Sequence, residues 1–237
     1  MEICAKNGYV FLNLHINIKE QKMTDRAKKL LTKERYDIND LLEIMSILRS
    51  DDGCPWDREQ THESIRKNFI EETYEVVEAI DNADSALMRE ELGDVLLQIV
   101  FHAKMCEEDG EFVFDDVCND VCSKLIVRHP HIFGDVEADN AEKVLVNWEK
   151  IKQETKKRES TYEILDGIAK SLPSLMRAQK IAKKSAKANV YTMPDEKADK
   201  DDIAKKLFDL CALAEKNGYD AEEILAKYCD GFVEKQK

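Results

Sequence analysis

Two short stretches carry most of the residues able to do chemistry. One holds Glu71, Glu72, Glu75 and Glu78, the other Glu90, Glu91 and Asp94. Residues three or four apart share one face of a helix. On helices, Glu72 with Glu75 and Glu91 with Asp94 are therefore two carboxylate pairs, each facing one way. Like charges at that spacing repel, so the pairs cost stability unless a cation or solvent relieves them. Two antiparallel helices joined by a short loop can aim both pairs at one point. Four carboxylates so arranged suit Mg²⁺, which prefers hard oxygen ligands and keeps positions open for water or phosphate. A solvated acidic face is the common alternative for any charge run. Against it, Glu72 and Glu75 border Thr73 and Val76, and Asp94 is flanked by Leu92 and Val95, all positions expected near a core.

Other chemistries fit less well. A di-iron bundle needs a Glu-x-x-His pair on each of two helices, and neither Glu72 nor Glu91 has a histidine three residues on. Cys118, Cys122, His129 and His131 match no common zinc spacing, so core thiols are the better reading. No Gly-rich phosphate loop is present, which excludes a P-loop enzyme. Cations able to hold outer phosphates come from Lys124 and Arg128, four apart and followed by His129. The same pair also suits a helix C-terminus through the dipole. Trp148 lies on an apolar stripe, where it can pack or stack on a base.

The elements that must position these groups are helical. The 237 residues include only 8 Gly and 4 Pro, with 36% charged and 7% aromatic residues. Few turn residues mean few turns, which favours long helices over a sandwich or barrel. A net charge of −13 argues against nucleic acid as a partner, since phosphate backbones need a basic footprint. No apolar run approaches the ~18 residues of a membrane span, and the first residues lack the layout of a secretory signal. Seven scattered cysteines read as reduced thiols in the cytoplasm.

Along the chain, residues 1–37 read as an N-terminal extension in which Leu12, Leu14, Ile16 and Ile18 alternate with polar residues as in a strand. Leu41, Leu42, Met45 and Leu48 recur at helical spacing, and Gly53 and Pro55 end that helix. Thr61 is a candidate N-cap for a helix to about Ile80, with Ile65, Phe69, Thr73, Val76 and Ile80 as its apolar stripe. After a short loop at Asn82–Ser85, the next helix runs to about Glu108 with Leu92, Val95, Leu96, Ile99 and Ala103 inward. A fourth carries Val117, Val121 and Leu125 and must stop near His129, before Pro130. Asn140 can cap a fifth with Val144, Trp148 and Ile151 on one face. A charged linker at Lys156–Thr161 precedes helices starting near Leu172, Asp202 and Ala221.

Four blocks, in order, resemble one family. Cys54-Pro55-Trp56-Asp57 with Gln60-Thr61-His62 is similar to the opening segment of the MazG-type nucleoside triphosphate pyrophosphohydrolases. Glu71-Glu72-x-x-Glu75 and Glu91-Leu92-Gly93-Asp94 resemble the metal signature of that all-α superfamily. Arg128-His129-Pro130-His131-Ile132-Phe133-Gly134-Asp135 and Asn147-Trp148-Glu149-x-x-Lys152 resemble two further blocks. The resemblance runs from about Asp40 to Ala188. It implies an all-α helical bundle that hydrolyses nucleoside triphosphates to monophosphate and pyrophosphate with Mg²⁺, or Mn²⁺ as substitute. It implies a homodimer or dimer of dimers. That nucleic acid and membrane are not expected as partners follows from the net charge and the lack of a long apolar run.

By position, the resemblance assigns the metal to Glu72, Glu75, Glu91 and Asp94. It assigns the attacking water to Glu71, with Glu72 and Glu75 also catalytic, and the substrate to Asn68, Lys124, Arg128, Trp148 and Lys152. The catalytic domain is expected over residues 38–158. Family members of full length carry two such domains. Here 159–237 read as a linker helix and a shortened repeat, because Lys205 falls where Asp94 stands and no second Glu-Glu-x-x-Glu precedes it. A non-enzymatic helical regulator that senses nucleotides or binds a partner is the alternative. The complete carboxylate set disfavours it, since a sensor is free to lose Glu71 or Asp94.

Overall fold

The scarcity of Gly and Pro translates into an all-α chain. The computed structural model describes residues 5–6, 9–10, 24–136, 140, 143–144, 147–148, 151 and 160–237. Among these, extended pairing is confined to a two-residue antiparallel ladder, β1 (Ala5–Lys6) with β2 (Tyr9–Val10), Ala5 opposite Val10. The strand-like alternation at Leu12–Ile18 lies outside the described residues. The chain divides into two compact units, residues 1–125 and 126–237.

The first unit is built on a helical hairpin. Helix α1 (Asp25–Leu31) leads into α2 (Ile38–Leu48), which opens on a reciprocal capping box between Asp37 and Asp40. A short α3 (Pro55–Glu59) starts on Pro55, whose missing N–H costs nothing at a first helical position. Helix α4 (Arg66–Asp81) and α5 (Ser85–Glu108) then make the most extensive helix pair of the chain. Their turn is tight because Ala83 takes a left-handed φ of 51°. Asp84 Oδ1 then caps α5, accepting from the backbone N–H of Ala86 and Leu87 at 3.0 and 3.1 Å. Gly110, at φ 74°, ends α5. Helix α6 (Phe114–Arg128) follows.

The core of this unit is Met45, Ile65, Val100, Phe101 and Met105, with Leu41, Leu42, Leu97 and Phe114 packed around it. Arg49, just past α2, fastens its rim. The guanidinium meets Glu108 at 2.8 Å, lies over the Phe101 ring at 5.3 Å, and donates to the carbonyls of Asp57 and Gln60. Its side chain is 8% exposed, whereas Glu108 is 34% exposed, so solvent screens part of the attraction. Arg49→Ala removes a donor from the Gln60 carbonyl and strands Glu108, while the Asp57 carbonyl keeps the Gln60 N–H. It is expected to cost about 2 kcal/mol in urea unfolding. A loss below about 0.5 kcal/mol would place this arginine among ordinary surface charges.

The second unit begins within the last turn of α6 and goes on to α7 (Pro130–Phe133). Asn140 Oδ1 accepts from Lys143 N–H at 2.9 Å, as an N-cap there requires. Helices α8 (Thr161–Asp166), α9 (Ser174–Lys187), α10 (Lys200–Lys216) and α11 (Ala221–Glu234) complete the unit. Leu165, Ile168, Ile181, Cys229 and Val233 form its core. Arg177 is fully buried and pairs with Asp230 at 2.6 Å. Along α10 the apolar spacing is kept, yet Leu207, Leu210 and Leu213 are exposed and line a recess of about 700 Å³ with Ile224 and Tyr228.

Two sequence expectations are corrected in the hairpin. Helix α4 begins at Arg66, five residues after Thr61, because Thr61 and Ser64 hydrogen-bond to each other's backbone and form a turn instead. The inward stripe of α4 is Asn68, Glu72, Val76 and Ala79, whereas Thr73 and Ile80 are exposed. On α5, Leu92 is likewise half exposed while Glu91 is buried. The inner face of the hairpin is polar, and the apolar residues beside it look outward.

Candidate functional site

That polar inner face gathers the sequence-predicted carboxylates. Glu72 comes from α4, and Glu91 and Asp94 from α5, one oxygen of each lying within 4.8 Å of the others. Glu91 is 8% exposed; Glu72 and Asp94 are half-buried. Glu75, one turn after Glu72, is more exposed but acts on both Glu72 and Glu91 by charge and by hydrogen bonding.

The electrostatics follow from that crowding. Burial first, then the hydrogen bond and charge of Glu75 and the charges of Asp94 and Glu91, hold the Glu72 carboxyl above its usual range. Burial, and after it Glu75, Asp94 and Glu90, raise Glu91 in the same direction. Among the described residues, no lysine or arginine forms a salt bridge with any of the four. Hard oxygen donors, packed together and left without a basic partner, are the donor set that a Mg²⁺-like cation takes. The residues therefore fit a divalent cation, and the charge balance of the pocket calls for one.

The other predicted residues are distributed less evenly. Asn68 is half-buried one turn before Glu72 on the same face of α4. Glu71 is exposed and does not enter the clustered set. Lys124 is exposed on α6 in the first unit. In the second unit Arg128 and Trp148 come together, the guanidinium 5.2 Å from the indole ring centroid, a cation–π arrangement. Lys152 lies outside the described residues. Two features of α5 escaped the sequence reading. Gln98, one turn beyond Asp94, is buried with its Oε1 unpartnered. His102 meets His62. The spacing of four that links Asp94, Gln98, His102 and Cys106 was the available signal.

The chain also has relatives among known proteins. The model of the MazG nucleotide pyrophosphohydrolase domain family matches residues 60–133, a span that contains the clustered Glu72, Glu91 and Asp94 and also Glu75. A nucleoside triphosphate pyrophosphohydrolase of Escherichia coli (strain K12) is 49% identical over 150 residues, covering 63% of this chain and 57% of that protein. A nucleoside triphosphate pyrophosphohydrolase/pyrophosphatase MazG of Thermotoga maritima is 38% identical over 217 residues, covering 84% of this chain and 83% of that one. A crystal structure of a mazG-related protein from Thermotoga maritima aligns with a TM-score of 0.42 at 28% identity, covering 49% of this chain and 99% of that one. The chain thus spans little more than half the length of the Escherichia coli relative.

Proposed function

The chain belongs to the MazG nucleotide pyrophosphohydrolase family, and from that membership we propose that it hydrolyses nucleoside triphosphates, ribo- or deoxyribo-, to the nucleoside monophosphate and pyrophosphate. The observation that carries this reading is the carboxylate cluster between α4 and α5, whose charge has no basic partner among the described residues. The cation is proposed to be Mg²⁺, with Mn²⁺ as a substitute, held by Glu72, Glu75, Glu91 and Asp94. A divalent cation bound there would neutralise phosphate charge and favour in-line displacement at the α-phosphorus.

The chain's own residues supply the rest of the proposal. Glu72 and Glu75 fix the inner face of α4 toward the phosphates. Glu71, exposed beside them, is assigned to orient the attacking water and accept its proton. Asn68 is assigned to the substrate from the same face of α4. Lys124 and Arg128 are assigned to phosphates, and Trp148 and Lys152 to the nucleotide pocket. Residues 1–37 are read as an extension, 38–158 as the catalytic domain and 159–237 as a linker helix with a repeat that has lost its metal site. The exposed pair of Lys205 with Asp209 supports that last reading, since an ammonium repels Mg²⁺ where a ligand is needed. Cytoplasmic housecleaning of the nucleotide pool is the role this chemistry suits.

The proposed assembly is a homodimer or a dimer of dimers. Ile70, Tyr74 and Val77 are exposed along one face of α4, and Leu92 and Leu96 are exposed on α5. A cluster of that kind marks an interaction surface more often than an ordinary one. Tyr74→Glu is expected to convert a sedimenting dimer into a monomer with its helicity intact. A wild-type chain that sediments as a monomer contradicts the assembly.

The activity is tested by incubating the full chain with a mixed triphosphate pool, with Mg²⁺ and with chelator. Pyrophosphate released only with the cation supports the proposal. Orthophosphate and diphosphates as main products would overturn it.

A further inference from the structure

Away from the carboxylates, the segment entering α4 touches the C-terminal part of α5 through two histidines and a cysteine. The His62 and His102 rings are parallel within 3°, their centroids are 5.0 Å apart, and their Nδ1 atoms are 2.7 Å apart. The other nitrogen of His62, Nε2, lies 3.6 Å from Sγ of Cys106, one turn beyond His102. From α4, Phe69 packs against the His102 ring at 5.9 Å. The charged groups around this trio are Glu63, which is held down in part by His62 and Arg66, and Glu111 and Asp109, which act on Cys106.

We propose that His62 and His102 form a pH-sensitive latch that ties the start of α4 to α5 through one shared proton and opens when both rings are charged. Proton counting gives the reason. An Nδ1–Nδ1 contact of this length is a hydrogen bond only when one nitrogen carries a proton and the other a lone pair. Two neutral imidazoles meet that condition in either direction. When His62 donates from Nδ1, its Nε2 lone pair faces the Cys106 S–H. When His102 donates, His62 carries its proton on Nε2 and points it at Sγ. One added proton still leaves a single hydrogen between the two Nδ1 atoms. A second sets N–H against N–H and cation against cation, and the contact must part.

The sign agrees with the local environment. Burial, and then the neighbouring His62, hold His102 below the usual histidine value. A base depressed in the folded state contributes stability that is intact above the ordinary value of about 6.5 and is lost as pH falls through the folded one. What the latch holds is specific. Ile65, three residues after His62, is in the core, and its carbonyl accepts from Phe69 N–H at 3.2 Å. Opening the latch therefore loosens the first turn of α4. The latch stands apart from the hydrolysis proposed above, since His62 and His102 are eight or more residues from every carboxylate of the cluster.

The test is native-state hydrogen exchange on the full chain without metal, between pH 8 and pH 5, corrected for intrinsic rates. The wild type is expected to lose about tenfold or more of its protection at Phe69 and Ile70 across that range, with central α5 amides unchanged. The His62→Phe/His102→Phe double variant is expected to lack the step. Imidazole ¹⁵N spectra of the wild type, which need no variant, should show one proton taken up without loss of the shared hydrogen and a second that abolishes it. The same loss of protection in the double variant, or two rings that titrate independently near the ordinary histidine value, would overturn the latch.

Discussion

Asp94→Asn is expected to lower kcat/KM for a nucleoside triphosphate by about 10³-fold or more, some 4 kcal/mol of transition-state stabilisation, without destabilising the metal-free protein. The two halves of that outcome have one cause. Asp94 and Glu72 are within 4.8 Å and no cation among the described residues offsets them, so each charge is a liability until metal arrives. An isosteric amide removes a ligand charge and the repulsion together. Glu75→Gln should behave alike, because Glu75 raises both Glu72 and Glu91. Thermal melts in chelator are expected to stay level or rise by a few degrees. Variants that melt well below wild type, with unchanged turnover per folded molecule, would make these carboxylates structural.

The second large effect is the joint dependence of stability on metal and pH. Glu72 and Glu91 are both raised above their usual 4.5, first by burial and then by neighbouring carboxylates. A group raised in the folded state contributes stability that is present below its unfolded value and lost as pH rises through the folded one. Without metal, the first unit is therefore expected to lose stability from these two groups as pH rises above about 4.5. The proposed Mg²⁺ would bind the charged forms, so its protection is expected to grow as pH rises. At a hundredfold excess over its dissociation constant it adds about 2.7 kcal/mol. Calorimetry with and without Mg²⁺ should show a larger rise in Tm at pH 8 than at pH 5. An equal rise at both values would mean that the cation binds elsewhere.

The helices that end at a strong signal were legible in the sequence. Pro130 stops α6 at Arg128 and Gly110 closes α5, both where local chemistry leaves no other choice. The carboxylate pairs were legible for the same reason, since helical spacing is a local property. What periodicity did not deliver was which side of α4 is inside. Of the stripe Ile65, Phe69, Thr73, Val76 and Ile80, Ile65 and Val76 do face inward, yet the row between them runs through Asn68 and Glu72. A site that buries charge inverts the usual rule that the apolar face marks the core. Ile80 is left exposed, whereas Phe69 leans on the His102 ring. Pairings distant in sequence stayed hidden as well. Nothing in the local pattern announces that His62 meets His102, forty residues on, or that Arg128 lies over Trp148. The resemblance assigned those last two residues to the substrate. If Trp148 stacks on a base as proposed, the ring face that carries the Arg128 guanidinium is not free for it until that contact parts.

The central claim, attack at the α-phosphorus under the control of the α4–α5 carboxylates, is tested most directly by a single turnover in ¹⁸O-labelled water with Mg²⁺ and one nucleoside triphosphate. The account predicts one labelled oxygen in the nucleoside monophosphate and none in the pyrophosphate. Label in pyrophosphate, or in orthophosphate beside a diphosphate, would contradict it.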